Sequence, residues 1–175
     1  SGTALAGILA GRINPSGQLA ETFPRVYEDT PTGHNGQFGR EDLVCYEEEI
    51  MVGYRHYEKN DILPMFCFGH GLSYTEFAYH DLQVKQDNDA KDRVSISFDI
   101  ENVGKIDGRE IVQIYVRDEE CTVIRPEKEL KAFKSITLKA GSICRVEITL
   151  DSMAFSFYDE KKHDFCVEPG IFEIC

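Results

Sequence analysis

Residues 66–77 read FCFGHGLSYTEF, and the rest of the chain divides around them. Gly69 and Gly71 flank His70 between Phe66 and Phe77. A Gly-X-Gly step among aromatics predicts a backbone that bends sharply while staying buried. Downstream of this run the hydrophobic period becomes two. Leu82 and Val84 alternate with polar neighbours, and Val94, Ile96, Phe98 and Ile100 alternate with Ser95, Ser97 and Asp99. Ile111, Ile114 and Val116 form a third run, and Leu130, Phe133, Ile136 and Leu138 lead to a turn at Lys139-Ala140-Gly141-Ser142. Val146, Ile148 and Leu150 alternate again, and residues 170–174 make a last short run. Turn residues recur at Asn88-Asp89, Gly104, Asp107-Gly108 and Pro169-Gly170. Short strands with regular turns predict an antiparallel β-sandwich over residues 79–175. No period marks a repeat array.

Upstream of the hinge the pattern is mixed. Residues 3–9 are small and apolar and read as the last turns of a helix packed on a sheet, closed by Gly11 near a C-cap. Asn14-Pro15-Ser16-Gly17 reads as a turn with Gly17 left-handed. Residues 19–23 read as a short strand ending at Pro24, residues 25–40 as a long surface loop, and residues 42–57 as three glutamates followed by an apolar, aromatic strand-like run. The division expected is 1–65, a junction at 66–78, and 79–175. Residues 1–24 look suited to packing on a sheet that these residues do not supply. Their exposed apolar surface predicts oligomerisation, a homo-oligomer included, or disorder of the first part.

Composition narrows the partners. The 175 residues carry 31 acidic against 19 basic side chains, a net charge of −12, which argues against nucleic acid or an anionic membrane as partner. No stretch approaches the ~20 apolar residues of a membrane span. No signal-peptide pattern opens the chain, and the absence of an initiator Met leads us to expect a start further upstream. The six cysteines, at 45, 67, 121, 144, 166 and 175, show no Cys-x-x-Cys pair and no zinc spacing. An even count admits disulfides, but scattered reduced thiols in a cytoplasmic protein are the reading preferred for a chain of this size. No cofactor is expected.

Four stretches in order resemble the C-terminal part of glycoside hydrolase family 3 enzymes of the β-glucosidase type. GRINPSGQLAETFP (11–24) resembles the family's segment closing its α/β sandwich domain. YEEEIMVGYRHYE (46–58) resembles its VGYR run, and FCFGHGLSYTEF its junction. Asn102-Val103-Gly104, residues 108–116, Arg125-Pro126, Glu129-Leu130 and Phe133 resemble its fibronectin type III-like domain. Cys67 stands where the family usually has Pro, His70 where it has Tyr, and Glu49 where it has Gly; the chain also stops at Cys175, where the family's last strand usually continues. The resemblance implies a mainly β fold: a fibronectin type III-like β-sandwich preceded by the C-terminal piece of an α/β sandwich domain.

It further implies a retaining glycosidase, which needs two carboxyl groups about 5–5.5 Å apart. The resemblance puts the nucleophile Asp and the acid/base Glu upstream of these residues, so no catalytic residue is expected here. The partners implied are the upstream catalytic domains of the same polypeptide and a β-glucoside substrate. The alternative is a non-catalytic carbohydrate-binding or protein-interaction β-sandwich.

Glu47-Glu48-Glu49 reads as a solvated acidic run, with Glu48 in a loop near the substrate entrance by resemblance. Arg55, among tyrosines and acids, reads as a tie between elements, with substrate contact as the alternative. His34, His56, His70, His80 and His163 lack metal-ligand spacing and read as surface or packing residues. Phe38 and Tyr46 are the candidate substrate-binding residues, because sugar rings stack on aromatic faces and the 25–40 loop could reach an active-site mouth. Phe98 and Phe133 fall on apolar strand positions and are expected in the core, and Trp is absent. A structural sandwich is therefore preferred to a glycan-binding one.

Overall fold

The computed structural model describes residues 2–36, 39, 44–87 and 93–175. Alternation by two becomes strand, as expected: β1 (Phe77–Gln86), β2 (Arg93–Asn102), β3 (Gly108–Asp118), β4 (Glu129–Leu138), β5 (Ile143–Asp151), β6 (Phe157–Asp159), β7 (Asp164–Cys166) and β8 (Phe172–Ile174). Strands β1, β2 and β5 form one antiparallel sheet in that order; β4, β3 and β8 form a second; β6 and β7 make a hairpin. The register of β2 on β5 sets Ile96 opposite Ile148 and Phe98 opposite Val146. A bulge between His80 and Gln83 shifts the register of β1, and there Asp81 takes a φ of 52°.

Because side chains alternate across a strand, one face of each sheet is apolar and buried. Ile96, Phe98 and Ile100 of β2, Val146 and Leu150 of β5, Val112 and Ile114 of β3, and Ile136 and Leu138 of β4 make this core. Phe133 was expected with them and is instead 71% exposed. Its odd number sets it opposite in parity to Ile136 and Leu138 on the same strand, so it faces the other way.

Contacts group the chain into two units. The first comprises Ser1–Gly17, Gly71–Ile114 and Leu130–Pro169; the second comprises Gln18–His70, Tyr115–Glu129 and Gly170–Cys175.

In the first unit, helix α1 (Gly2–Leu9) ends as its sequence predicts. Gly11 adopts φ +69° while its N–H donates to the Ile8 carbonyl. Gly17 is not left-handed, and residues 14–17 form no turn. The Asn14 side chain does other work: Oδ1 accepts from the Tyr74 N–H at 2.8 Å and the Ser73 hydroxyl at 3.2 Å, and Nδ2 donates to the Asp107 carbonyl at 3.1 Å.

Asn102, with no exposed surface, has every side-chain polar atom engaged. Its Oδ1 accepts from the Thr75 hydroxyl (2.6 Å) and the Gly104 N–H (3.1 Å), and its Nδ2 donates to the carbonyls of Ile106 (2.9 Å) and Leu138 (3.2 Å). Thr75 is wedged against two glycines. A Cβ on Gly104 would collide with its hydroxyl, and one on Gly108 would lie 2.5 Å from its methyl. Of the run 66–77, Thr75 alone is buried; Phe66 and Leu72 are exposed, so the expected burial of the hinge holds only at this residue.

In the second unit, residues 19–23 form no strand but run antiparallel to 65–70. The Leu19 N–H donates to the His70 carbonyl, the Gly69 N–H to that of Leu19, and Phe23 bridges Phe66. Residues 25–36 carry more order than a loop, and the rest of the stretch read as 25–40 lies, apart from Gly39, outside the described residues. A 3₁₀ turn, Tyr27–Asp29, leads into helix α2 (Pro31–Asn35). Thr30 caps that helix by accepting from the Gly33 N–H, Pro31 opens it, and Gly36 closes it at φ +64°. These are N-cap, N1 and C-cap residues in order, a signal present in the sequence. The strand-like run before residue 57 ends in helix α3 (Tyr54–Lys59), entered from Gly53 at φ +57°, a conformation open to glycine.

Candidate functional site

Helix α3 is short, yet its spacing puts Tyr54, Tyr57 and Glu58 on neighbouring positions of one side, at i, i+3 and i+4. That side opens on a cleft of about 290 Å3, closed by Thr22, Asp61, Ile62, Leu63, Pro64 and Cys67. Two polar atoms at this cleft are buried without a hydrogen-bond partner: Thr22 Oγ1 and Glu58 Oε2. The other oxygen of Glu58 receives Lys128 Nζ at 2.9 Å.

The tyrosines are held firmly. The Tyr54 ring meets Phe68 at 5.3 Å and Tyr115 edge-on at 5.7 Å, with the Arg55 guanidinium 5.9 Å from its centre. Tyr57 is buried, and that burial, with the Asp29 charge beside it, pushes its phenol above the ordinary range. Burial also pushes the Tyr115 phenol up to about 12, helped by the nearby Tyr54, Glu58 and Cys67. Both phenols therefore stay protonated as hydrogen-bond donors at neutral pH.

Charged residues of α3 meet a complementary run at 127–129. Arg55 Nη2 lies 3.1 Å from Glu129 Oε1, Glu58 pairs with Lys128, and Lys59 approaches Glu127 at 4.0 Å. Arg125 completes the array from within, 2.9 Å from Asp118 Oδ2 and 3.1 Å from Glu129 Oε2, with only 6% of its side chain exposed. Glu129 is thus gripped by two guanidinium groups. Arg55 acts here as the tie read from its neighbours in sequence, and it also donates to the Ile50 carbonyl at 3.4 Å. The partnership with 127–129 carried no sequence signal, because the paired triplets lie far apart in the chain.

On α3 itself, His56 is buried. Its Nε2 faces the Asp29 carbonyl at 3.1 Å and its Nδ1 faces the Asn60 amide at 3.2 Å. The carbonyl can only accept and the amide N–H₂ only donate, which fixes the neutral tautomer protonated at Nε2. Burial lowers its pKa, the Asp29 hydrogen bond opposing and the His34 ring, 5.4 Å away, assisting.

The sequence-predicted residues fall elsewhere. Phe38 lies outside the described residues, and Tyr46 is 79% exposed and does not line the cleft. Glu47 and Glu49 are exposed and Glu48 is half-buried in the turn that follows. Glu49 itself has φ +49°, so the position where a glycine was expected by resemblance does have a left-handed backbone, adopted here by glutamate. Among the described residues, no group of three or more His, Cys, Asp or Glu is placed to hold a metal ion.

Comparison with known proteins covers both ends of the chain. Residues 1–74 match the glycosyl hydrolase family 3 C-terminal domain, and residues 110–175 match the fibronectin type III-like domain. The thermostable beta-glucosidase B of Acetivibrio thermocellus is 47% identical over 99% of this chain and 23% of its own length. A beta-glucosidase of Bacteroides ovatus is 38% identical over 98% of this chain and 24% of its own length. Among solved structures, a GH3 beta-glucosidase from Bifidobacterium adolescentis superposes with a TM-score of 0.92 at 36% identity, over 99% of this chain and 25% of that one. Beta-glucosidase 3B from Thermotoga neapolitana, in complex with α-D-glucose, does so at 0.89 and 36% identity, over 99% of this chain and 24% of that one. The chain therefore spans about a quarter of the length of these relatives.

Proposed function

From the premise that the chain belongs to the C-terminal region of glycosyl hydrolase family 3, we propose that it is the C-terminal part of a retaining β-glucosidase-type hydrolase acting on terminal β-linked glucosyl residues. The observation that carries this reading is the alignment of 99% of the chain, in one stretch, with a beta-glucosidase of which it represents 23%. In this reading the section is structural and accessory. The nucleophile and acid/base carboxyls of the double displacement belong to upstream catalytic domains of the same polypeptide, and the chain alone is inactive.

The exposed apolar residues support a covered position in a larger molecule. In the first unit Leu5 and Leu9 of α1 are 59% and 77% exposed; in the second, Val44, Leu63 and Ile124 are each more than 70% exposed. Within this proposal residues 79–175 are the accessory sandwich, residues 1–65 the end of the α/β domain, and Phe38 and Tyr46 offer aromatic faces to the substrate's aglycone side. Six free thiols support a reducing, cytoplasmic setting. No helix among the described residues is long and apolar enough to cross a membrane, which says nothing of a β-barrel.

The test is release of nitrophenol from an aryl β-glucoside. The chain alone is expected to show none, and a polypeptide extended upstream through its catalytic domains is expected to turn over. Turnover by the purified 175-residue chain, or none by the extended one, overturns the proposal.

A further inference from the structure

We propose that His56 is a pH-sensitive latch: its neutral ring fastens residues 26–36 to α3, and a proton on Nδ1 releases them while α3 stays folded. The fastened segment is knit within itself. The Val26 N–H donates to the Asp29 carboxylate at 3.3 Å, the Thr30 hydroxyl to the Tyr27 carbonyl at 2.7 Å, and the Gly33 N–H to Thr30 Oγ1 at 3.0 Å. Gly33 lies so close under the Tyr27 carbonyl that a Cβ there would collide with it. The 3₁₀ turn and α2 are therefore one body, able to move as a whole. His56 joins that body to α3. Its Nε2 donates to the Asp29 carbonyl at 3.1 Å, and its ring meets the His34 ring edge-on at 5.4 Å.

Asn60 makes the latch sensitive to a proton, because it cannot adapt to one. Its Nδ2 donates to His56 Nδ1 at 3.2 Å and also to the His56 carbonyl at 2.9 Å. A proton on Nδ1 sets donor against donor. Turning the amide over would offer its oxygen to that proton, but would set the same oxygen against the His56 carbonyl. The imidazolium is left buried with an N–H unmatched, a costly state. It is relieved when the ring turns to water, and that motion gives up both Asp29 and His34. Around the ring stand Asp29 from the 3₁₀ turn, His34 from α2, and Tyr57 and Asn60 from α3 and its cap. The Asp29 carboxylate accepts from the Val26 N–H, and among the described residues no carboxylate pairs with either ring nitrogen. A charge on His34 adds repulsion. The docked ring is already harder to protonate through burial, whereas a released ring returns to the ordinary value near 6.5. The released form thus holds more protons. Its share rises as pH falls below about 6.5, by at most roughly tenfold for each pH unit by which docking lowers the value.

The experiment follows the 175-residue chain by NMR from about pH 8 to about pH 5, reading the His56 ring nitrogens and the backbone amides together. At the upper end the ring proton is expected on Nε2, and Nδ1 gains one as pH falls. The amides of residues 27–35 should move with the His56 midpoint, below that of a free histidine, while those of β2 and β5 stay in place. His56→Gln keeps His34 and should abolish the part of the transition at 27–35 that follows His56. Asn60→Asp gives the Nδ1 proton a carboxylate to meet. It should raise the His56 midpoint by about one pH unit and keep 27–35 docked where the parent chain releases them. Three results overturn the proposal: amides at 27–35 that stay still while His56 titrates, a transition shared equally by β2 and β5, or a midpoint that Asn60→Asp leaves unmoved or lowers. No turnover is read, so the outcome is independent of the hydrolase reading.

Discussion

Two buried polar sites in this chain are treated in opposite ways. In the sandwich unit, Asn102 is sealed from water and all its hydrogen-bonding capacity is used within the protein. In the second unit, Glu58 and Thr22 each bury an oxygen and leave it unmatched, while ion pairs join residues 55–58 to 128–129 and Arg125 to Asp118. The sandwich unit surrounds an apolar core, whereas the second unit pairs guanidinium and ammonium groups with carboxylates. Both units leave large apolar residues exposed, Leu9 and Phe133 in the first and Val44 and Tyr46 in the second.

The sharpest test of that contrast lies in the core. Phe98→Ala should lose roughly 3–5 kcal/mol by urea denaturation, whereas Phe133→Ala should stay within about 0.5 kcal/mol. Equal losses would mean that the strand faces are misassigned.

The next effect falls in the second unit. Arg125→Met leaves Asp118 buried without its cation and Glu129 with one guanidinium, and should destabilise by about 3 kcal/mol. Hydrogen exchange should show protection lost at 54–59 and 115–129, with the β2 and β5 amides little changed. Uniform loss across both units would erase the distinction drawn above.

The acid response should also localise. His56 binds its proton less readily in the folded chain than in the unfolded one. Between the lowered folded value and the ordinary value near 6.5 the unfolded state therefore holds more protons. The stability that neutral His56 contributes is present above about pH 6.5 and is lost as pH falls through the folded value. Melting followed from pH 8 downward should show this loss in the parent chain and a shallower one in His56→Gln. Asp29, Asn60 and His34, the groups facing the ring, are unchanged in that variant.

The smallest effect concerns the backbone. Glu49→Gly relieves a left-handed glutamate but loosens the unfolded chain, so a net gain of about 0.5 kcal/mol is expected by denaturant midpoint. A loss would show that the Glu49 side chain contributes a contact of its own.

The unequal legibility of the two regions has the same origin as their unequal construction. Val94, Ile96, Phe98 and Ile100 announce a strand because period two is a local signal and one sheet face must be dry. Phe133 shares the apolar character of Ile136 and Leu138 but not their parity, and parity decides which face a strand residue takes. In the second unit the determinants are not local. Gly53 starts α3 where the apolar, aromatic run had read as strand, and Thr30-Pro31 starts α2 inside what had read as loop. The cleft carries no local signal because Thr22 and Glu58 are brought together only by the path of the chain. Arg55 is legible as a tie because a planar guanidinium among acids forms directed pairs, as it does with Glu129.

The wedge of Thr75 between Gly104 and Gly108, with Asn14 reaching Tyr74 and Asp107, bears on how this protein can be recombined with its relatives. A chimera spliced within 66–78 looks natural, since the motif there is easy to align. Such a graft would inherit Asn14 from one parent and Asp107 from the other, and a splice after Thr75 would match that side chain with foreign neighbours at 104 and 108. Those residues behave as one heritable block although they are scattered along the chain. Successful hybrids should be the ones that carry the block whole, however far the splice then lies from the visible seam.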